Sequence, residues 1–314
     1  MEYIIKNLNY KLDSPSVITL GKFDGLHRGH ELLIEKLKEI CARYKYNSVV
    51  FTFDIPPKPN ANPADAKVIT TNEEKRLIFE NNDIDVLFEC PFVKEIMFME
   101  PEDFIEWIVD KFKVKYIVVG TDFGFGHNRS GNYETLQQYA DKYNYEVVVI
   151  DKKQYHGRDI SSTYIREEIQ KGNIELANKL LGYEFFVMGE IIHGRRLGRT
   201  IGIPTINMQM DTVKMLPPFG VYITKVIIND KWYMGVSNLG RKPTVGDDNP
   251  IGLETYIIDF CQNVYGQEVV VQFLKYLRPE HKFDTIELLK EQMNKDIMQT
   301  IKYYRNVTNY IDNQ

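Results

Sequence analysis

Along the first half of the chain, short apolar runs alternate with stretches whose apolar residues recur every three or four positions. Val17–Leu20, Ser48–Phe53, Val86–Phe88, Tyr116–Val119 and Glu146–Ile150 read as strands. Glu31–Tyr44, Glu73–Asn81, Pro101–Phe112, Tyr133–Tyr143 and Thr163–Lys171 read as helices. In Glu31–Tyr44, Leu33, Leu37 and Ile40 share one face, and Lys36, Lys38 and Glu39 fall mostly off it. Strands alternating with helices predict parallel pairing in an open α/β sheet, with ligands bound beyond the carboxyl ends of the strands.

After Gly182 the pattern changes. Phe185–Ile192, Val221–Ile228, Trp232–Asn238, Glu254–Phe260 and Glu268–Tyr276 read as strands, and a helical period returns only at Asp284–Tyr304. This predicts a small β-barrel closed by a C-terminal helix. Asn173–Leu181 reads as a helix that Gly182 can cap, which sets the domain boundary at 182/183, giving domains 1–182 and 183–314. The segment Pro56–Pro63 is expected to be an extended active-site flap.

The 314 residues suffice for one large domain or two ordinary ones, with the 43% hydrophobic and 26% charged content of a globular protein. A net charge of −5 argues against a dedicated nucleic-acid partner. No apolar run reaches the ~18 residues of a membrane span, and residues 1–15 lack a secretory apolar region. Cys41, Cys90 and Cys261 are scattered and odd in number, as expected of reduced thiols in the cytoplasm.

Three segments of the first half carry candidate chemistry. Gly21-Lys22-Phe23-Asp24-Gly25-Leu26-His27-Arg28-Gly29-His30 follows a strand and opens a helix. Glycines let backbone N–H groups approach a triphosphate, the helix N-terminus favours its charge, and imidazoles can donate to its oxygens. His27 and His30 could instead be metal ligands or surface residues, although no companion ligand lies at zinc spacing. Arg28 is expected to face solvent. The second segment, Gly120–Gly131, again follows a strand; Asp122 and Asn128 can contact a nucleotide, or the segment is a turn-rich surface loop. In Ile160–Arg166, Ser161, Ser162 and Thr163 stand where a helix N-cap belongs, and Arg166 lies a turn further on. Capping is their plain role; facing a phosphate is an additional one, in which Arg166 stabilises charge on a pyrophosphate leaving group.

In the second half, Gly189–Asn207 is rich in glycine and basic residues and can cradle phosphates, or contact RNA. Thr205 and Asn207, two apart, share a face in an extended segment, as hard oxygen ligands for Mg²⁺ or as surface polar groups.

Taken in order, G-x-F-D-G-x-H-x-G-H, G-x-D-F-x-F-G-x-x-R-x-G and I-S-S-T-x-I-R resemble the adenylyltransferase module of bacterial bifunctional riboflavin kinase/FAD synthetases. The second half resembles their kinase module through His193-Gly194, Gly202-x-Pro204-Thr205-x-Asn207, Pro218–Tyr222, Gly235–Thr244, Glu254, and Leu277-Arg278-Pro279-Glu280 with Phe283. The resemblance spans about residues 15–300. It implies a Rossmann-like nucleotidyltransferase domain followed by a riboflavin kinase barrel, with riboflavin, FMN and ATP as small-molecule substrates and Mg²⁺ as cofactor. His27, His30, Ser161, Ser162, Thr163 and Arg166 would hold phosphates, while Gly21, Phe23, Asp24, Gly25, Asp122 and Asn128 would shape the nucleotide pocket. His193, Gly194, Arg199, Gly202 and Pro204 would cover ATP in the second domain. Thr205 and Asn207 would hold Mg²⁺, Glu254 would be the general base, and Arg278 and Phe283 would contact flavin. Two departures stand out: Ile206 replaces the family's usual alanine, and residues 195–197 carry fewer glycines. Competing readings are one working activity beside a retained binding module, and a non-catalytic flavin or RNA regulator.

Overall fold

The computed structural model describes residues 1–54, 67–194, 198, 202–241 and 250–311. The predicted flap Pro56–Pro63, residues 195–197 and Arg199 lie outside the described residues. The chain divides into two compact units, Met1–Tyr164 and Ile165–Gln314.

The first unit is built on β1 (Glu2–Ile5), β2 (Ser16–Leu20), β3 (Asn47–Asp54), β4 (Val86–Pro91), β5 (Val114–Gly120) and β6 (Glu146–Ile150). They form one six-stranded sheet in the order β1-β4-β3-β2-β5-β6, parallel throughout. Residues of β2 are buried along its whole length, as expected of a central strand covered on both faces. Edge strand β1 carries no apolar alternation over its four residues, which is why periodicity did not predict it.

Helix α1 (Arg28–Tyr44) follows β2 and buries Leu33, Ile34, Leu37 and Ile40. Helix α2 (Asn72–Glu80) starts at a capping box, where Thr71 Oγ1 accepts from Glu74 N–H and the Glu74 carboxylate accepts from Thr71 N–H. Helix α3 (Pro101–Phe112) buries Phe104, Ile105, Ile108 and Phe112 against the sheet core of Phe51, Phe88 and Ile117. The helix expected over 133–143 is instead two pieces, Tyr133–Gln138 and Ala140–Tyr143. The Tyr145 hydroxyl donates to the Leu136 carbonyl at 2.7 Å, the acceptor that an unbroken helix would offer to residue 140, and Tyr139 leaves helical geometry.

Helix α4 (Ser162–Gln170) runs from the first unit into the second, and α5 (Ile174–Leu181) ends as predicted on Gly182, whose φ is 91°. Within the second unit, Asn178 on α5 donates to the Phe273 carbonyl and accepts from Phe185 N–H, each at 2.8 Å.

The second unit contains β7 (Phe186–Glu190), β8 (Thr205–Gln209), β9 (Gly220–Ile228), β10 (Lys231–Arg241), β11 (Ile251–Ile257) and β12 (Glu268–Arg278). They pair antiparallel in the order β7-β12-β9-β10-β11-β8. An Ile192–Asn207 bridge, with Ile192 N–H donating to the Asn207 carbonyl at 2.8 Å, joins the two ends and nearly closes the barrel. Tyr222, Phe185, Phe273 and Val271 fill its core. Helix α6 (Ile286–Ile311) follows the last strand.

Candidate functional sites

In the first unit the turn after β2 is held in an unusual shape. Phe23, Gly25 and Leu26 all have positive φ, and a Cβ on Gly25 would come within 3.1 Å of the Ile69 side chain. Asp24 keeps the turn in place: its carboxylate accepts from Ile69 N–H at 2.8 Å and Thr70 N–H at 3.1 Å, while Gly25 N–H donates to Thr70 Oγ1. Phe23 is fully buried, its ring edge-on to both His30 and Phe79. Asp24 and Phe23 thus shape the turn from behind. Gly21 N–H donates to the Phe51 carbonyl, tying the end of β2 to β3.

His27 is the N-cap of α1. Its Nδ1 accepts from Gly29 N–H at 3.2 Å, so in the neutral imidazole the proton sits on Nε2. The His27 and His30 rings stack at 3.8 Å. Burial pushes His27 down to about 4, opposed by the nearby Asp122 carboxylate. Burial and the neighbouring His27 hold His30 well below the usual imidazole range. The pair is therefore neutral near pH 7, and His27 acts as an N–H donor without carrying charge. Arg28 is half-buried rather than fully solvated.

Ser162 Oγ donates to the Asp24 carbonyl at 2.8 Å, bringing the start of α4 to the histidine turn. Ser161 Oγ accepts from Tyr164 N–H, a capping bond, and Thr163 is exposed. Arg166 is half-buried, one turn beyond Ser162 on α4. Asp122 pairs with Lys152 at 3.1 Å, and Lys152 also lies 3.6 Å from Asp159. Asn128 is exposed with φ 54°. The glycines around it answer to packing: a Cβ on Gly126 would lie 2.8 Å from the Pro101 ring, and one on Gly131 would lie 2.9 Å from Phe125. Sequence reading missed Lys152, whose signal was a basic residue just past the carboxyl end of a strand.

In the second unit, the antiparallel register gathers the expected residues into rows. Asn207 is opposite Glu254, Glu254 opposite Asn238, Asn238 opposite Val221, and Val221 opposite Arg278. The next row on that face joins Thr205, Tyr256 and Val236. Paired residues of a sheet point to one side, and all the residues of these rows except the buried Asn207 line the floor of a cleft of about 230 Å³. Phe283, Ile286, Leu289 and Met293 form an apolar wall to it. Asn238 Nδ2 donates to Glu280 Oε1 at 3.0 Å at its rim.

Ile206 belongs to the opposite face, in a row with Thr255 and Ser237. The alternation expected from sequence thus keeps it off the Thr205–Asn207 side. Ser237 and Thr255 are buried and share a 2.7 Å hydroxyl contact, continued by Thr224 at 2.7 Å.

Asn207 is buried, with its amide against Gly194: a Cβ there would fall 2.4–2.6 Å from the amide atoms. Gly198 is equally constrained, since a Cβ would lie 2.2 Å from the Ile203 carbonyl oxygen. Gly202 has φ 80° in open space, and Pro204 is exposed. His193 is exposed, its ring 3.9 Å from that of Tyr265. Arg278 reaches the cleft, but Nε and Nη2 bond the Asp296 carboxylate and Nη1 donates to the Pro279 carbonyl. Sequence reading missed Asp296. Its signal was a carboxylate on the helix face that also carries Ile286, Leu289, Met293 and Ile297.

The family model described as FAD synthetase matches residues 9–164, and the one described as riboflavin kinase matches residues 181–304. A Listeria monocytogenes protein named bifunctional riboflavin kinase/FMN adenylyltransferase is 33% identical over 93% of this chain and 93% of its own length. A Bacillus subtilis protein of the same name is 35% identical, again over 93% of each chain. A Streptococcus pneumoniae crystal structure described as a macrolide-efflux protein matches with a TM-score of 0.85 and 31% identity, over 96% of this chain and 99% of that one. Among the described residues, no helix is long and apolar enough to cross a membrane.

Proposed function

The chain belongs to the bifunctional riboflavin kinase/FMN adenylyltransferase family, and we propose that it converts riboflavin to FMN in the barrel and FMN to FAD in the α/β unit. The observation that carries the kinase half is the register that sets Glu254 beside Asn238 on the floor of the cleft, with the buried Asn207 paired to Glu254 on its other side. Two ATP molecules are consumed, one per step.

In the first step, Glu254 takes the proton of the riboflavin 5′-hydroxyl. The freed oxygen attacks the γ-phosphorus of ATP, and ADP leaves. Thr205 and Asn207 fit Mg²⁺: they are neutral oxygen donors, and glycine at 194 leaves the Asn207 amide room that a Cβ would take. When Mg²⁺ is bound with ATP, it neutralises phosphate charge. His193, Gly194, Gly202 and Pro204 are assigned to the ATP side, and Arg199, outside the described residues, is given the same role. Phe283 and the face of Arg278 lie on the flavin side.

In the second step, an FMN phosphate oxygen attacks the α-phosphorus of ATP, and pyrophosphate leaves. No covalent enzyme intermediate is needed, so the unit acts by positioning and charge stabilisation. His27 Nε2–H, His30, the N-terminus of α4 with Ser161, Ser162 and Thr163, and Arg166 hold phosphates. Gly21, Phe23, Asp24 and Gly25 keep the turn open to them, with Asp122 and Asn128 at the nucleotide edge. We divide the chemistry at Gly182: residues 1–182 carry the adenylyl-transfer motifs through Arg166, and 183–314 carry phosphoryl transfer. Free Cys41, Cys90 and Cys261 suit the reducing cytoplasm, where we place both reactions.

The test is direct. Purified protein incubated with riboflavin, ATP and Mg²⁺ should yield FMN and then FAD on flavin chromatography. Riboflavin recovered unchanged from folded protein that binds it would make the chain a flavin binder instead.

A further inference from the structure

Asp296 is a carboxylate buried to 2% exposure on the inner face of α6, among Leu289, Met293 and Ile297. Such a group is costly to bury unless all its lone pairs are used. Here they are. Oδ1 accepts from Arg278 Nε at 3.1 Å and Gln292 Nε2 at 2.9 Å, and Oδ2 accepts from Arg278 Nη2 at 2.7 Å and shares Nε at 3.2 Å. Arg278 closes β12, and it heads the row that runs through Val221 and Asn238 to Glu254. Its third nitrogen, Nη1, is held by the Pro279 carbonyl. The guanidinium therefore has each of its nitrogens engaged within the protein, and its face lies 5.9 Å from the Phe283 ring.

We propose that Asp296 is a positioning residue for riboflavin phosphorylation: it fixes α6 to the barrel through Arg278 and so sets the apolar wall against which the flavin ring lies. On this assignment Arg278 contributes as the barrel's anchor for α6, and does not donate hydrogen bonds to the flavin. Two-nitrogen pairing makes the contact directional, so it fixes rotation of the helix as well as distance. Ile286, Leu289 and Met293 are then presented to the cleft at a set depth. The inference rests on the kinase reading of the barrel.

Steady-state phosphorylation of riboflavin tests it, with FMN adenylylation in the same chain as the reference. Asp296→Asn should raise the riboflavin KM at least tenfold, change kcat less than threefold, and leave the ATP KM and FMN adenylylation unaltered. Arg278→Met should do the same. The double variant Arg278→Met/Asp296→Leu replaces the pair with apolar side chains that can still pack, and it should recover most of the riboflavin affinity lost by either single variant. A double variant no better than Arg278→Met would overturn the proposal, because Arg278 would then be touching flavin itself. An unchanged riboflavin KM in Asp296→Asn would overturn it too. If Asp296→Asn fails to fold, the double variant alone decides. A wild-type chain that makes no FMN would instead sink the kinase reading, before either variant is compared.

Discussion

Asn207 and Glu254 face each other as a directly paired couple across β8 and β11, and the same Glu254 faces Asn238 on its other side. Register alone thereby places Glu254 between two asparagines in one row of the sheet. A base between fixed neighbours can meet a hydroxyl in one orientation, which is what proton removal from a primary alcohol requires. Glu254→Ala should therefore lower FMN formation by about 10²–10⁴-fold, the usual worth of a general base. FMN-to-FAD conversion should stay near wild type. His30→Ala should do the reverse, so FMN accumulates, with adenylylation down by about 10²–10³-fold as for loss of one preorganised donor. Flavin chromatography of both variants checks the pair. If either change silenced both steps in folded protein, one chemistry per domain would be wrong.

The contact between Gly194 and the Asn207 amide leads to a separate expectation. A methyl group at 194 would lie 2.4 Å from Asn207 Nδ2, so the amide or the loop must shift. Gly194→Ala should reduce riboflavin phosphorylation by about 10²-fold, the scale of a 1 Å misplacement in a reacting site. The Mg²⁺ concentration for half-maximal rate should rise, and FMN adenylylation should not change. A Mg²⁺ titration of both activities measures it.

Much of this was legible in the sequence because the two periodicities are strong. Leu33, Leu37 and Ile40 marked α1, and the predicted strands found their places in the two sheets. What escaped were elements whose evidence is tertiary. β1 is a four-residue edge strand and β8 follows a basic loop, and each is recruited by pairing with a neighbour rather than by its own pattern. The break at Tyr139 depends on a hydroxyl nine residues from the carbonyl it bonds. At the candidate sites, the motifs marked the segments but not which side chains are spent on holding the fold. Asp24 spends its carboxylate on Ile69 and Thr70 N–H groups, which lie forty-five and forty-six residues away in the chain. Asp296 was a single acid among helical positions until Arg278 was seen opposite it.

Glu89 offers a pH signature of the first unit. It is buried on β4 with Arg76 Nη2 at 3.8 Å, and burial pushes its carboxyl up to about 7. The folded state then holds a proton that the unfolded chain releases near the ordinary carboxylate value. Stability must fall as pH rises from about 4.5 to 7, and be fully present below that window. Glu89→Gln keeps the shape without the ionisation. It should melt higher than wild type at pH 8 and at nearly the same temperature at pH 4. A lower melting temperature at pH 8 would mean that the ionised carboxylate is stabilised by Arg76 after all.

The histidine pair acts in the opposite sense. His27 stays neutral down to about 4 in the folded protein, whereas an exposed imidazole takes its proton near 6.5. As pH falls between those values the unfolded chain binds the proton first, so stability present above 6.5 is lost on acidification. His27→Asn removes that proton but keeps a side-chain oxygen to accept Gly29 N–H at the N-cap. Below pH 6.5 its stability should decline less steeply than wild type, by about 1.4 kcal/mol per pH unit for the one proton removed. Denaturant unfolding at half-unit intervals from pH 7 to 4.5 gives that slope. Parallel curves for the two proteins would mean that His27 protonates as readily in the fold as outside it. The turn would then present a cation to phosphate, in place of the neutral Nε2–H donor that the cap geometry assigns.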